Sequence, residues 1–439
     1  MPASPMTILH TADWHLGVKT YGRRDSATGL NTRLLDTRAA LEATVQHAID
    51  ASVDCFVFAG DAYHTVDPTP TQQKILAECL QPLSAAAIPI VMVIGNHDHP
   101  VTFGRASSLD IFEHIEGRVH FYRTPTEAVQ VIDTPGGPLQ VIPLPWPVRS
   151  RILSREQYRA MSADDVRAFI EEQYVAYVQR RAADIQNEAE GVRADGSPVA
   201  LSPTRPTILV GHVTVQGATM AGSERTSLIA QEPKFAVSQL AVPPIDYVAL
   251  GHIHHAQNRN AHGTVPVVYS GSIERVTFKE RDDPKGFYMV DLAPGRTPAA
   301  TCTHVETPAR PFVALRVDAT DTPDPTDAIV RAIAARDIAD AIVRVRYRVD
   351  ESQLTAIDHQ RLREALAPAH TIAAIERQVE ATERKRRTHV KRDDDLASAL
   401  RQYIQQHDEL APLADELVDA ALDIQAEHEQ APERQSSTP

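Results

Sequence analysis

The chain has 439 residues, more than one ordinary hydrophobic core uses, so two or three domains are expected. Its hydrophobic fraction of 43% suits a globular protein; no apolar run nears the roughly 20 residues that span a bilayer, and Met1-Pro2-Ala3-Ser4-Pro5-Met6 does not start a signal peptide. A net charge of −14 weighs mildly against nucleic acid as a partner, and the scattered Cys55, Cys79 and Cys302 argue against a disulfide framework or a thiolate metal site and for a cytoplasmic protein.

Strand and helix patterns alternate from Met6 to about Val305. Thr7-Ile8-Leu9 reads as a short buried parallel strand, running into His10-Thr11-Ala12-Asp13-Trp14-His15. Leu34, Leu35, Ala39, Leu41, Val45, Ala48 and Ile49 mark an amphipathic helix. Cys55-Phe56-Val57-Phe58 is a second strand, closed by Ala59-Gly60-Asp61. A helix near 71–83 follows, then Pro89 and a third strand that ends in Gly95-Asn96-His97-Asp98. Two runs, 129–132 and 139–142, flank Thr134-Pro135-Gly136-Gly137-Pro138 and predict a hairpin. A charged helix is expected over 163–190 and a loop over 191–206. Strands resume at Thr207, Tyr247 and Val265; the first two end in Gly211-His212 and Gly251-His252-Ile253-His254. The pattern is that of an α/β sandwich carrying its site on loops.

After Pro308-Ala309-Arg310-Pro311 the signals are strand 312–317, helix 327–335, strand 341–349, helix 359–366 and strand 371–379, a small α+β domain. The basic stretch 384–392 suits DNA phosphates or an ordinary solvated helix face. Beyond it, Leu396, Leu400, Tyr403 and Ile404 form one apolar stripe, and Leu410, Leu413, Leu417, Ala421 and Ile424 another. Two such stripes pack on the body or present a groove to a partner helix. The expected division is 1–307, 308–383, 384–430 and a disordered tail, 431–439.

Five strand ends tipped with Asp, Asn or His point to one metal site built from distant parts of the chain, because ligands of open α/β sheets bind beyond the carboxyl ends of strands. Asp13, His15, Asp61, Asn96, His212, His252 and His254 are the candidate ligands, with His10, His99 and His255 set aside. Glycine before four of the ligands, Asp61, Asn96, His212 and His252, is read as the device that lets the chain turn. This mixed oxygen and nitrogen set suits Mn²⁺, Fe²⁺ or Zn²⁺ better than Mg²⁺. Two such cations about 3.5–4 Å apart clamp the attacking and leaving oxygens of a phosphoryl displacement. A carboxylate at Asp61 would bridge them, one oxygen to each, and His97 beside Asp98 has the form of an oriented general acid.

The order Asp-x-His, Gly-Asp, Gly-Asn-His-Asp, Gly-His, Gly-His-x-His resembles the calcineurin-type metallophosphoesterases. More narrowly, Ile8 to Gly17, Tyr269-Ser270-Gly271-Ser272-Ile273-Glu274-Arg275 and Lys285-Gly286-Phe287 resemble the SbcD nuclease family. The resemblance implies a metallophosphoesterase α/β sandwich, a small α+β capping domain that contacts DNA, and a C-terminal helix pair that grips an SbcC-type coiled-coil ATPase. It implies two divalent ions, Mn²⁺ foremost: one on Asp13, His15, Asp61 and His254, the other on Asp61, Asn96, His212 and His252. His97 would act near the leaving group, with Asp98 orienting it. His64, in Gly60-Asp61-Ala62-Tyr63-His64, stands where many bacterial members carry Asp; it would help place the phosphate or nucleophile, or is a plain loop residue. The implied activities are double-strand exonuclease and single-strand endonuclease, in a homodimer within a heterotetramer, cytoplasmic and associated with the nucleoid. Alternatives are a phosphoesterase for a small-molecule or protein phosphoester, and a scaffold that docks an ATPase.

Overall fold

The computed structural model describes residues 6–99, 105–114, 118–148, 161–222, 232–295, 297–320, 322–380, 396–404 and 411–430. The basic stretch 384–392 and the tail 431–439 lie outside them.

The chain opens as β1 (Met6–Thr11), α1 (Thr32–Asp50), β2 (Cys55–Phe58), α2 (Pro70–Ala85), β3 (Ile90–Val93) and β4 (Val119–Tyr122). The hairpin β5 (Gln130–Thr134) and β6 (Gly137–Leu144) precedes the long helix α3 (Ala163–Gln186). Then come β7 (Glu190–Arg193), β8 (Pro198–Ala200), β9 (Thr207–His212), β10 (Thr214–Val215), β11 (Lys234–Phe235), β12 (Tyr247–Gly251), β13 (Gln257–Asn258), β14 (Val267–Tyr269), β15 (Gly286–Leu292) and β16 (Ala300–Glu306). The β7–β8 pair falls where a loop was expected; both strands are short and half-exposed, so no run of apolar residues announces them.

Two sheets form, in the orders β16-β15-β1-β2-β3-β4 and β13-β14-β12-β9-β6-β5-β7-β8. β1 to β4 are parallel, as are β6, β9, β12 and β14. Their strands are buried on both faces, which is why the sequence shows continuous apolar runs rather than alternation. Ile8, Val57 and Val91 meet Val141, Ile208 and Ala249 between the sheets. Leu9, Phe56, Phe58 and Met92 point the other way, against Leu41 and Val45 of α1 and Leu76 and Leu80 of α2. Leu209 and Leu250 pack with Val178 and Ile185 of α3. The result is a helix–sheet–sheet–helix sandwich.

A three-stranded sheet, β17 (Phe312–Asp318), β18 (Ile342–Asp350) and β19 (Thr371–Glu380), carries α4 (Pro325–Ala334) and α5 (His359–Ala365). Two compact units are distinguished, the first comprising 1–317, 326–347 and 358–376, the second 318–325, 348–357 and 377–439. Compactness thus draws its line inside 308–383. In the second unit, α6 (Leu396–Ile404) packs on α7 (Ala414–Gln430). Ile404 and Val418 are buried, while Leu413, Leu417, Leu422 and Ile424 stay exposed.

Candidate metal centre

Every candidate ligand sits at or just past the carboxyl end of a parallel strand. Asp13 and His15 follow β1, Asp61 follows β2, Asn96 follows β3, His212 closes β9, and His252 and His254 follow β12. The loops after β1 and β2 are zipped together: the Asp13 N–H donates to Gly60 O (2.9 Å), His15 N–H to Asp61 O (3.2 Å) and Leu16 N–H to Ala62 O (2.9 Å). Asp13 (φ 53°), His15 (φ 43°), Asp61 (φ 62°) and His252 (φ 95°) all take left-handed backbones that such residues adopt rarely. Four of the nine described non-glycine residues with positive φ are thus at the site, where the surrounding packing offsets the strain.

The glycines divide by role. Gly60 has φ +97°, so it does provide a turn, and a Cβ there would lie 2.4 Å from His212 Nδ1. Gly95 is not left-handed; a Cβ there would lie 2.1 Å from Asp61 Oδ1, so its contribution is clearance for the carboxylate. Gly211 and Gly251 are not left-handed either, so the expectation that each glycine turns the chain holds at Gly60 and is corrected at the other three positions.

The side chains converge. His15 Nε2 lies 2.8 Å from His254 Nε2 and 3.8 Å from Asp61 Oδ2. His212 Nε2 lies 3.5 Å from Asp61 Oδ2 and 3.0 Å from Asn96 Oδ1. His252 Nδ1 is also 3.0 Å from Asn96 Oδ1. Asp13 shares one cluster with His15 and His254 and another with Asp61 and His212, the ligand atoms of each lying within 4.8 Å of one another.

These contacts fit cations. His212 Nδ1 donates to Ala59 O at 2.7 Å, which leaves Nε2 as a lone pair facing two oxygens. His252 faces oxygens on both sides, Asn96 Oδ1 and, at 2.9 Å, Glu232 Oε2, yet a neutral imidazole donates only once. Acceptor against acceptor is repulsive until a proton or a metal ion lies between them, and imidazole, carboxylate and amide oxygen are ligands for divalent transition ions. Asp61 differs from expectation in one respect. Its Oδ1 accepts the His97 N–H at 2.8 Å, so Oδ2 alone faces both His15 and His212. The carboxylate thus turns one oxygen toward both imidazoles, where one oxygen toward each ion was expected.

Asp98 also departs from its expected part. Its carboxylate accepts the N–H groups of Asp61 (2.8 Å), Ala62 (2.9 Å), Tyr63 (3.3 Å) and Gly95 (3.1 Å). The His97 ring is oriented instead through Nδ1, which donates to the His64 carbonyl at 2.8 Å. Asp98 orients the loops, and backbone amides outnumber any other donor in its reach. The His64 ring stacks on His97 at 5.8 Å and stands 5.8 Å from His15; one ring nitrogen from each of these three lies within 4.8 Å of the others. His10 stays away from the site, bonded to the Tyr247 hydroxyl at 2.8 Å between the sheets, and His255 pairs with Asp283 at 3.2 Å.

Burial opposes ionisation of Asp61, but His212, His97 and His15 outweigh it and hold the carboxyl well below its usual range. Burial likewise opposes a charge on His212, yet Asp61 and Asp13 raise it to about 9. Burial and the neighbouring Asp61 push Asp98 up to about 7. Burial, His254 and His97 drive His15 well below 6.5, the neutral form a ligand needs.

Sequence reasoning missed the groups that hold the imidazoles. Glu232 Oε2 takes His252 Nε2–H and, at 3.2 Å, the Thr214 hydroxyl. Glu280 Oε1 meets His254 Nδ1 at 3.3 Å, and its Oε2 meets Lys285 Nζ at 2.8 Å. Lys285 Nζ also donates to His254 O (3.1 Å) and Ser272 Oγ (2.9 Å). The segments around Ser272 and Lys285, noted only for their family resemblance, thus form the scaffold of His254; that was the available signal.

Residues 6–256 match the family model described as calcineurin-like phosphoesterase. The chain is 30% identical to the SbcD component of the SbcCD nuclease of Bacillus subtilis (strain 168) over 295 residues, 66% of this chain and 67% of that one. It is 28% identical to the corresponding SbcCD nuclease components of Staphylococcus epidermidis (65% and 66% covered) and Escherichia coli K12 (66% and 66%). These alignments span about two thirds of each relative. Among the described residues no helix is long and apolar enough to cross a membrane.

Proposed function

This chain belongs to the calcineurin-like phosphoesterases and, among them, to the SbcD nuclease family, and from there we propose that it is a DNA repair nuclease that cuts phosphodiester bonds with two divalent cations, Mn²⁺ foremost. A metal-dependent hydrolase is the coarser statement that the family carries. The finer reading has it degrade duplex ends as an exonuclease and cut single strands as an endonuclease. It would work as a homodimer joined to an SbcC-type ATPase through 384–430, with 308–383 contacting DNA, in the cytoplasm at the nucleoid.

The observation that carries it is the placement of Asp61 Oδ2 between His15 and His212, 3.8 and 3.5 Å away. Asp13, His15, Asp61 and His254 would hold one ion; Asp61, Asn96, His212 and His252 the other. Such a pair supplies Lewis-acid stabilisation of the oxygens that enter and leave phosphorus. The protein's own residues do the rest. The Asp61 and Asp98 contacts fix the loops, so the donor set is assembled before substrate arrives. The His64 carbonyl holds the Nδ1–H of His97; as an imidazolium, the ring would give its other N–H proton to the departing oxygen and be left neutral.

A screen of metals against duplex ends, single strands, nucleotide monoesters and phosphopeptides, with and without the ATPase partner, tests this. Mn²⁺-dependent DNA cleavage is expected. Turnover of monoesters with DNA left intact would assign a small-substrate phosphoesterase instead. His97→Ala is expected to lower kcat by about 10²–10⁴-fold with metal still bound; unimpaired cleavage would remove the general-acid role.

A further inference from the structure

The strand between β5 and β9 in the second sheet ends beside the metal centre but brings no ligand. β6 pairs with β9 up to Leu144 and Gly211, so Pro145 and Trp146 emerge next to His212. The Trp146 N–H donates to Ile94 O at 3.0 Å, tying this strand end to the one that carries Asn96. Its indole lies 5.1 Å from the His252 ring and 6.0 Å from the His212 ring. The same Trp146 lines a cavity of about 220 Å³ together with Phe169, Ile170, Tyr174, Pro125 and Arg123. The Tyr174 hydroxyl donates to Pro145 O at 3.1 Å, and Arg123 Nε pairs with Asp110 at 2.8 Å, so the walls are fixed by side chains with other anchors.

We propose that this cavity is a nucleobase subsite: it takes one unpaired base of the nucleotide whose phosphate lies at the metal centre, stacked on Trp146. The inference rests on the phosphodiesterase reading above. Three features select a base. The volume is below the roughly 300–1,000 Å³ of pockets for whole drug-sized ligands and suits one flat ring system. The lining is mainly aromatic and aliphatic, with Thr124, Gln173 and the Asp110-paired Arg123 as its polar members, a surface suited to sequence-tolerant base stacking. Trp146 lines the cavity and also stands beside the His252 and His212 rings, while no metal ligand lines the cavity, so its occupant is a group attached next to the reacting centre rather than the reacting group itself. A base held there has left its pairing partner. The enzyme therefore acts on frayed ends or single strands, where unpairing costs least.

The Mn²⁺-loaded full chain is titrated with deoxyadenosine 5′-monophosphate and with base-free deoxyribose 5-phosphate, reading tryptophan emission. The chain has two tryptophans, and Trp14 is 1% exposed, so quenching reports Trp146. Saturable quenching by the nucleotide and none by the sugar phosphate is expected. Phe169→Ala, which leaves the metal ligands untouched, is expected to weaken it roughly 5- to 150-fold. Trp146→Leu, checked for unchanged metal content, should lose the preference for the nucleotide over the sugar phosphate in equilibrium dialysis. In parallel, a single-stranded oligonucleotide with one abasic residue should be cut with raised KM at that residue by the parent chain and show no such contrast in Phe169→Ala. Equal affinity for base-bearing and base-free phosphates, or an unaffected Phe169→Ala, overturns the subsite. Quenching without oligonucleotide cleavage would keep the subsite and sink the nuclease reading; cleavage without quenching would do the reverse.

Discussion

The six-stranded side of the centre presents Asp13, His15, Asp61 and Asn96, while the eight-stranded side presents His212, His252 and His254. The first group is positioned by main chain. Loop-to-loop N–H···O bonds place Asp13 and His15, and Asp98 gathers four backbone amides around Asp61 and Gly95. The imidazoles are positioned by oxygens at their far nitrogens: Ala59 O for His212, Glu232 for His252 and Glu280 for His254. The contrast follows from ligand chemistry. A carboxylate on a short stem is aimed once its backbone is aimed. An imidazole must also have its ring rotation and tautomer fixed, which a hydrogen bond at the second nitrogen does for His212, His252 and His254; His15 is the exception, its Nδ1 buried without a hydrogen-bond partner among the described residues. Damage to the first side should therefore unfold the site, and damage to the second should detune it.

The largest effect is expected from Asp98→Ala. It strands four buried N–H donors at about 1–3 kcal/mol each before relaxation. Denaturant unfolding should show a loss of at least about 3 kcal/mol together with loss of activity. A shift below about 1 kcal/mol would mean that the loops hold without it. Next, Asp61→Asn removes the carboxylate oxygen that lies between His15 and His212 and should lower kcat/KM more than about 100-fold, with fewer than two ions retained by equilibrium dialysis. Two tightly held ions would show that neither ion depends on this carboxylate.

Glu280→Gln and Glu232→Gln sharpen the other side of the contrast. Each should weaken metal affinity or activity by about 10–100-fold, with stability nearly kept in Glu232→Gln and lowered in Glu280→Gln, which leaves a buried ammonium without its counter-charge. Glu280→Gln should cost more, because Lys285 then loses its carboxylate as well. The smallest effect is in pH. In the metal-free protein His212 is raised from 6.5 to about 9. Its stabilising charge is present below pH 6.5 and is lost as pH rises through 9. The metal-free chain should thus lose stability over that interval, metal affinity should rise with pH, and binding near pH 7.5 should release a proton, read by calorimetry in two buffers. His212→Gln should flatten the stability slope.

The amino-acid sequence by itself determined the ligand types, their order and their placement at strand ends. Short apolar runs that stop at Gly-Asp, Gly-Asn or Gly-His are local signals, and both faces of the sheets are buried, so those runs are unbroken. It also determined the helices, the β5–β6 hairpin and the strand–helix order of 312–380. It did not reveal the exposed β7–β8 pair, which lacks such a run. Only tertiary structure decided that His15 meets His254, 239 residues away, and that Asp98 serves amides 35 to 37 residues away. The same holds for the roles of Glu232, Glu280 and Trp146. These are long-range choices made by charged or aromatic residues in ordinary local contexts. A periodicity records which way a side chain points, and the partner across the sandwich is fixed only when the two sheets pack.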